Sequence, residues 1–481
     1  MTDKNARVWT GTEWANISTP LISPNAIAAY QASAPASAFT GQIWIDSDST
    51  INVFDANDYL SKVDASANYL RISSASATYL TQSSASTTYA RINSPSFTGT
   101  VNFTSASVVF TSASVSGLPS GSTAINSNLL YNGAMQVVQR SASASGLTGT
   151  SVNAYYTADR WKFSTGSSNG TYTQSVENDA PTGSGFRKSL KMLCTDTNSM
   201  LPSGGTKDLI CQTLEGQDLQ SIRKGSASAQ QLTLSFWIKS NATKTLIIEL
   251  EDIDNSRYVS ASCGTSSSQT WEYKTITFPA DTSGVLDNDN NGSLQLNIWL
   301  AGGSTYGTGG TSSPGSLSNL QTTWGTTASA RAPGLTLLTA SQYIQFTGVK
   351  LEVGSSATGY EFKSYGQELS ECQRYYWRSN TPVGAYASHG WARAISTTNS
   401  VCLIQKTVDM RVPPTAVEVS NIGLHIPTST ITAVTTSSIG AGTTTATEVY
   451  LGVASGLTAG TMYIISNNNN TAGYIGISAE L

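Results

Sequence analysis

Four tyrosines recur at a fixed spacing of ten residues, Tyr59, Tyr69, Tyr79 and Tyr89, the first three followed by Leu60, Leu70 and Leu80 and the last by Ala90. Ahead of each lies a short spacer of small residues such as DASAN or SASAT. A period of ten is neither the seven of a left-handed coiled coil nor the eleven of a right-handed one, so a continuous helical bundle is disfavoured. One such unit, with a single Tyr-Leu pair, cannot offset its own ordering entropy of roughly 1–2 kcal/mol per residue. It needs partners, supplied by stacking along the chain and by identical chains around an axis. Residues 55–100 therefore read as the shaft of a homo-oligomeric stalk, with Tyr59, Leu60, Tyr69, Leu70, Tyr79, Leu80 and Tyr89 as its inter-chain contacts.

The rest of the chain is folded. Of 481 residues only 12% are charged but 9% are aromatic, which excludes wholesale disorder. A net charge of −4 and the lack of a Lys/Arg block give no footprint for a phosphate backbone, so nucleic acid is not an expected partner. No apolar run approaches the roughly 20 residues that cross a bilayer, and a soluble chain without membrane insertion is expected. The opening MTDKNARVWTGTEW has no apolar signal core, which speaks against an ordinary secretory precursor. The five cysteines, Cys194, Cys211, Cys263, Cys372 and Cys402, lack zinc-knuckle spacing and read as reduced, mostly buried thiols.

Alternation of apolar and polar residues predicts an all-β, elongated, multidomain chain. Residues 1–54 hold small β units: a hairpin from Arg7 to Trp14, then Gly41 to Phe54, with an Ala/Ser/Pro linker at Ser33 to Ser37. A neck spans 101–125 after the shaft. From 126 to 380 long strands such as Leu232–Ile238 and Leu294–Leu300, with a further one from Thr270, indicate a β-sandwich. In YIQFTGVKLEV the inward parity switches near Gly348, which predicts a bulge. Glu368 to about Trp377 reads as a brief helix, with Tyr375, Tyr376 and Trp377 packed at a domain junction. Residues 381–481 form a separate β tip, in which Asn467 to Asn470 turn a hairpin and Leu481 tucks in.

These strings resemble a known group. The tandem Tyr repeats running into SPSFTGTV look like the shafts of bacteriophage tail fibres. SNLLYNGAMQVVQR, ADRW, LSFWIKS and FTGVKLEVGSSATGYEFKSYGQELSECQRYYW are similar to a jelly-roll, carbohydrate-binding-like domain of such appendages. The resemblance spans roughly residues 40–380 and rests on motif order. It implies a homotrimeric virion fibre, assembled in the host cytoplasm, with an N-terminal end docked on phage tail or baseplate proteins. Its distal end would bind a bacterial surface polysaccharide or outer-membrane receptor.

The residues give little support to catalysis. His389 and His425 are the only histidines, which leaves few ways to form a Ser/His/Asp triad and none to form a multi-His metal centre. Glu249, Glu251 and Asp252 could supply paired carboxylates, but a solvated strand end is the preferred reading. Asp287, Asp289 and Asn291 match the first half of a calcium loop, while Ile298 stands where the bidentate Glu is required; an ordinary turn fits as well. Trp237 and Trp299 project from the faces opposite their apolar rows and, with Tyr306 in an adjacent loop, could stack on sugar rings. Packing against another sheet or protomer suits the same faces and takes precedence. The expectation is a non-enzymatic receptor-binding tail fibre without cofactor. The alternatives are a polysaccharide-degrading fibre and a bacterial surface adhesin, the latter opposed by the absent export signal.

Overall fold

The computed structural model describes residues 7–9, 12, 14–16, 28–31, 43–46, 127–148, 152–167, 170–196, 204–307, 320–332, 339–380, 384–427 and 429–481. The shaft tyrosines, Tyr59 to Tyr89, and the neck lie outside the described residues. The chain divides into two compact units, residues 1–117 and 118–481.

In the first unit β1 (Arg7–Trp9) and β2 (Trp14–Asn16) pair antiparallel, as the Thr-Gly-Thr turn predicts. β3 (Ala28–Gln31) runs parallel to β4 (Ile43–Asp46), which in turn pairs with β1. The sheet order is β2-β1-β4-β3.

The second unit opens with β5 (Ser143–Leu147), β6 (Asn153–Tyr155), β7 (Lys162–Gly166), β8 (Tyr172–Glu177), β9 (Ser189–Cys194) and β10 (Lys207–Glu215). After a 3-10 turn at Gly216–Ile222 come β11 (Leu232–Ser240), β12 (Lys244–Asp252), β13 (Arg257–Thr265), β14 (Glu272–Phe278), β15 (Gly292–Gly302) and β16 (Tyr343–Val353). These twelve strands make two antiparallel six-stranded sheets, ordered β13-β12-β15-β10-β7-β6 and β14-β11-β16-β9-β8-β5. Apart from the neighbours β6–β7, β8–β9 and β12–β13, successive strands cross between the sheets, and each sheet turns one face to a shared core, which satisfies the period-2 pattern. Phe236, Phe346, Trp161, Leu250 and Leu296 lie in that core.

The bulge falls where the parity switch places it. Ser235 pairs with Lys350 but Trp237 pairs with Thr347, so β16 carries one extra residue. Gly348 takes a φ of +63°, and a Cβ there would meet the Phe186 ring at 2.5 Å; glycine satisfies both constraints.

The helix departs from expectation. α1 covers Tyr365–Gln373, capped by the Ser364 side chain, which accepts from the Gln367 N–H at 3.3 Å. It ends before Trp377, which belongs to the next strand.

The remaining strands are β17 (Tyr376–Asn380), β18 (Ser388–Ala394), β19 (Asn399–Gln405), β20 (Ala416–Ser420), β21 (Ile422–His425), β22 (Thr432–Gly442), β23 (Ala446–Val453), β24 (Met462–Asn467) and β25 (Tyr474–Ser478). Six of them close a barrel, β18-β19-β23-β22-β21-β24, and the other three form a sheet, β17-β25-β20. The Asn run is therefore not a hairpin turn. β24 pairs with β18 and β21, whereas β25 pairs with β17 and β20, and the chain passes from barrel to sheet through Asn469 at a φ of +50°. Asparagine supplies the left-handed backbone, but its flanking strands part.

Tyr375 and Tyr376 are fully buried, Tyr375 donating its hydroxyl to Glu215 of β10 at 2.5 Å and Tyr376 to Glu418 of β20 at 2.8 Å, where the sandwich meets the β17-β25-β20 sheet. Leu481 is tucked in: its carbonyl accepts from the Tyr155 hydroxyl at 2.8 Å and from Lys162 at 3.0 Å. All five cysteines are buried and unbonded to one another, and burial pushes the Cys402 thiol up to about 12.

Candidate functional site

β11 sends Leu232, Leu234, Phe236 and Ile238 into the core, so Thr233, Ser235, Trp237 and Lys239 line the outer side of their sheet. Its neighbour β14 is an edge strand, with Tyr273 directly opposite Trp237. The two rings lie 5.2 Å apart, and Tyr273 is 47% exposed. Thr275 and Thr277 continue the exposed row along β14. A half-buried indole packed beside an open phenol makes a rigid platform with few torsions left to freeze.

A polar cluster adjoins the platform. Lys239 forms an ion pair with Asp179 and lies 5.2 Å over the Trp271 ring. Asp179 also accepts from the Gln345 amide at 3.0 Å and the Trp271 indole N–H at 3.4 Å. Burial alone would raise the Asp179 pKa, but the bond and charge of Lys239 together with the Trp271 and Gln345 bonds outweigh it, and the carboxyl is held below its ordinary value. The face therefore offers aromatic surface beside a fixed carboxylate, an ammonium and an amide, which suits a ring with one apolar side and hydroxyls at its edge. Trp237 was visible from strand parity. Tyr273 and Trp271 were not singled out, although the alternation in TWEYKTITF places them on one side.

Trp299 must be reassigned. It does face outward from β15, but it is fully buried beneath the segment that follows, in a small cluster with Leu209, Ile247, Leu320 and Ala332. Tyr306 packs on it at 5.3 Å. Trp299 is closed to a sugar, because the sheet's outer side is already covered there, and Tyr306 is half-buried against it.

The acidic group on β12 is not a solvated strand end. Glu249 is fully buried and takes two hydrogen bonds from Arg331, at 2.8 and 2.6 Å, while Arg331 also reaches Glu251 at 2.7 Å. Asp252 pairs with buried Lys224. Carboxylates neutralised in this way hold a loop down rather than flank a scissile bond.

Asp289 accepts the Asn291 N–H at 2.9 Å, and its own carbonyl accepts from Gln217 at 2.8 Å. The Asp287 N–H donates to Asp254 at 2.9 Å. Asp287, Asp289 and Asn291 thus build the turn into β15. Among the described residues no group of three or more His, Cys, Asp or Glu is placed to hold a metal.

A Ser–His–Asn chain does form. Asn467 donates its amide to the Gly384 carbonyl, which assigns its Oδ1 as the acceptor for His389 Nε2–H at 2.7 Å. His389 Nδ1 is then left to accept from the Ser379 hydroxyl at 2.7 Å. The serine oxygen is also engaged by the Ile475 N–H at 3.2 Å, and an asparagine cannot stabilise an imidazolium as a carboxylate does. The chain acts as a brace tying β17 and β18 to β24. His425 is remote from this role, its Nδ1 lying 3.2 Å from the Ile426 carbonyl.

Burial lowers the His389 pKa below the ordinary 6.5, against a smaller upward pull from Asn467. The unfolded chain then binds a proton near pH 6.5 that the folded chain does not, so stability is retained above about pH 6.5 and lost as pH falls through the folded value. The melting temperature of His389→Gln should accordingly fall less than the parent's between pH 7.5 and 5.5. Equal falls would remove His389 from the pH response.

No protein-family profile and no curated protein matches the chain. Among solved structures it is similar to the enzymatically active domain of tailspike protein 4 of bacteriophage CBA120. The identity is 14% and the TM-score 0.24, over 47% of this chain and 21% of that one. It is also similar to TmCBM61 in complex with β-1,4-galactotriose, at 9% identity and a TM-score of 0.24, over 47% of this chain and 99% of that one. A third similar structure is that of a protein of Bacteroides thetaiotaomicron named for sugar binding, at 9% identity and a TM-score of 0.26, over 47% of this chain and 100% of that one. The chain spans about a fifth of the tailspike domain's length, 21%. Likeness at these scores carries no argument about ligand or activity.

Proposed function

We propose that this chain is a bacteriophage tail fibre subunit that binds cell-surface glycan through the outer face of its sandwich. The observation that carries the reading is the open Trp237–Tyr273 platform beside the Lys239–Asp179–Gln345 cluster. The sequence resemblance adds the rest: a homotrimer joined along the Tyr repeat, an N-terminal end docked on the tail or baseplate, and a place in the virion. Individually weak sugar sites gain strength when three copies engage one surface.

The test is binding of the full chain to host polysaccharide, with Trp237→Ala beside the parent. Removing an aromatic stack worth about 1.5 kcal/mol should weaken each site roughly tenfold while the circular dichroism spectrum is unchanged. Unaltered binding by a folded Trp237→Ala chain would remove this face from recognition. Sustained release of sugar reducing ends would replace the binding reading with a depolymerase, and absence of the chain from purified virions would end the fibre assignment.

A further inference from the structure

The barrel carries an apolar surface that the sandwich face does not account for. Ala392 and Ala394 on β18 and Cys402 and Ile404 on β19 point inward, so Trp391, Arg393 and Leu403 point out. Trp391 is 57% exposed, Leu403 60% and Met462 48%, and they line one groove of about 670 Å3. A cluster of Trp, Leu and Met is the composition of a protein contact rather than of a sugar platform, because the aliphatic side chains offer nothing to hydroxyls.

Two opposite charges, Arg393 and Glu448, line the same groove. Barrel order runs β24-β18-β19-β23: Arg393 on β18 sits between Met462 of β24 and Val401 of β19, and Glu448 on β23 is the direct cross-strand partner of Leu403, so the outward side chains of β19 lie between the two charges. Among the described residues neither Arg393 nor Glu448 makes an ion pair. A wall with a cation on β18, an anion on β23 and the outward apolar side chains of β19 between them is complementary to rotated copies of itself.

We propose that this wall packs against second copies of the chain, with Leu403 facing the symmetry axis and Arg393 of each copy meeting Glu448 of the next. The proposal rests on the trimer reading above and names its surface in the barrel. It seals the apolar strip and gives the distal end an attachment independent of the shaft.

The test uses the full-length chain carrying Leu403→Cys, treated with a short bis-maleimide; the native cysteines are buried, and the unmutated chain serves as the control. Covalent dimers and trimers are expected. Arg393→Glu should cut their yield several-fold, and adding Glu448→Arg should restore it, which a merely misfolded barrel would not do. Light scattering on the same sample separates the failures. A monomer overturns the trimer reading and this proposal together. A trimer that does not link, or a yield indifferent to the charge swap, overturns this surface alone.

Discussion

Arg331→Ala is expected to lower the unfolding free energy of the sandwich by about 3–5 kcal/mol, the cost of leaving one member of a buried ion pair without its partner. Glu249 is fully buried on β12, and its two oxygens are held by Arg331 and by the Asn297 amide at 2.7 Å. Asn297 is itself fixed by Gln295 at 2.7 Å, and Gln295 by the Thr213 hydroxyl at 2.7 Å, so the carboxylate ends a chain of oriented dipoles across three strands. Burial works against the Arg331 cation, yet its bonds to Glu249 and Glu251 hold its pKa above the ordinary value. Its guanidinium also stacks 3.8 Å from the Tyr258 ring centroid. Loss of the arginine therefore strands an anion and releases the cover over Trp299, Leu209 and Ile247. Chemical denaturation of the full chain measures the change. The double variant Arg331→Leu with Glu249→Leu should recover part of the loss, because apolar replacement of both partners removes the stranded charge. A loss under about 1 kcal/mol in the single variant would mean that water reaches Glu249 and the pair is not structural.

The same residues show why the sequence told the fold better than the site. Strands such as Leu232–Ser240 are half-buried, and alternation reports burial directly; the bulge at Gly348 follows from one break in that alternation. Parity fixes the side to which Trp299 points but not what lies over that side. Among the described residues the cover is Tyr306, Leu320 and Ala332, from a stretch with no periodicity anchored by an arginine that pairs with Glu249 82 residues away. Local pattern has no access to such a contact, and Glu249 and Glu251 consequently read as solvated. For α1 the signal was present, since Ser364 and Gln367 have the spacing of a capping box, but Gly366 between them weakened it. The fourfold Asn run announced a turn truthfully; whether the flanking strands pair is a matter of tertiary choice between barrel and sheet. The all-β class and the sandwich were legible, and so was the side to which Trp237 points; that its side stays open, unlike that of Trp299, was not. Tyr273 and the Asp179–Lys239 pair required the register of β14 and the return of a loop from β8.

Glu480→Ala should cost a comparable 3–5 kcal/mol and, unlike the Arg331 variant, should loosen the barrel from the sandwich. Arg160, fully buried beside β7, pairs with Glu480 and donates to the Thr213 carbonyl at 2.7 Å, with its guanidinium 3.5 Å from the Tyr375 ring centroid. Arg140 reaches the other Glu480 oxygen at 3.3 Å and stacks 3.5 Å from Tyr376. One carboxylate thus serves two arginines stacked on adjacent tyrosines at the sandwich–barrel junction. Burial opposes the Arg160 charge and Glu480 sustains it, so its pKa lies above the ordinary value. Without Glu480 the cation must find water, and the junction opens to supply it. The neighbouring clasp is independent of the carboxylate: Arg411 donates to the carbonyls of Ala479 and Asn290, both at 2.6 Å. Glu480→Gln, which keeps an acceptor for Arg160 but not its counter-charge, should fall between parent and alanine. Calorimetry of the full chain reads the outcome as separation of the barrel transition from that of the sandwich. If Glu480→Ala and Glu480→Gln melt alike and within a degree or so of the parent, the two arginines are satisfied without the carboxylate and the junction is held by its tyrosines alone.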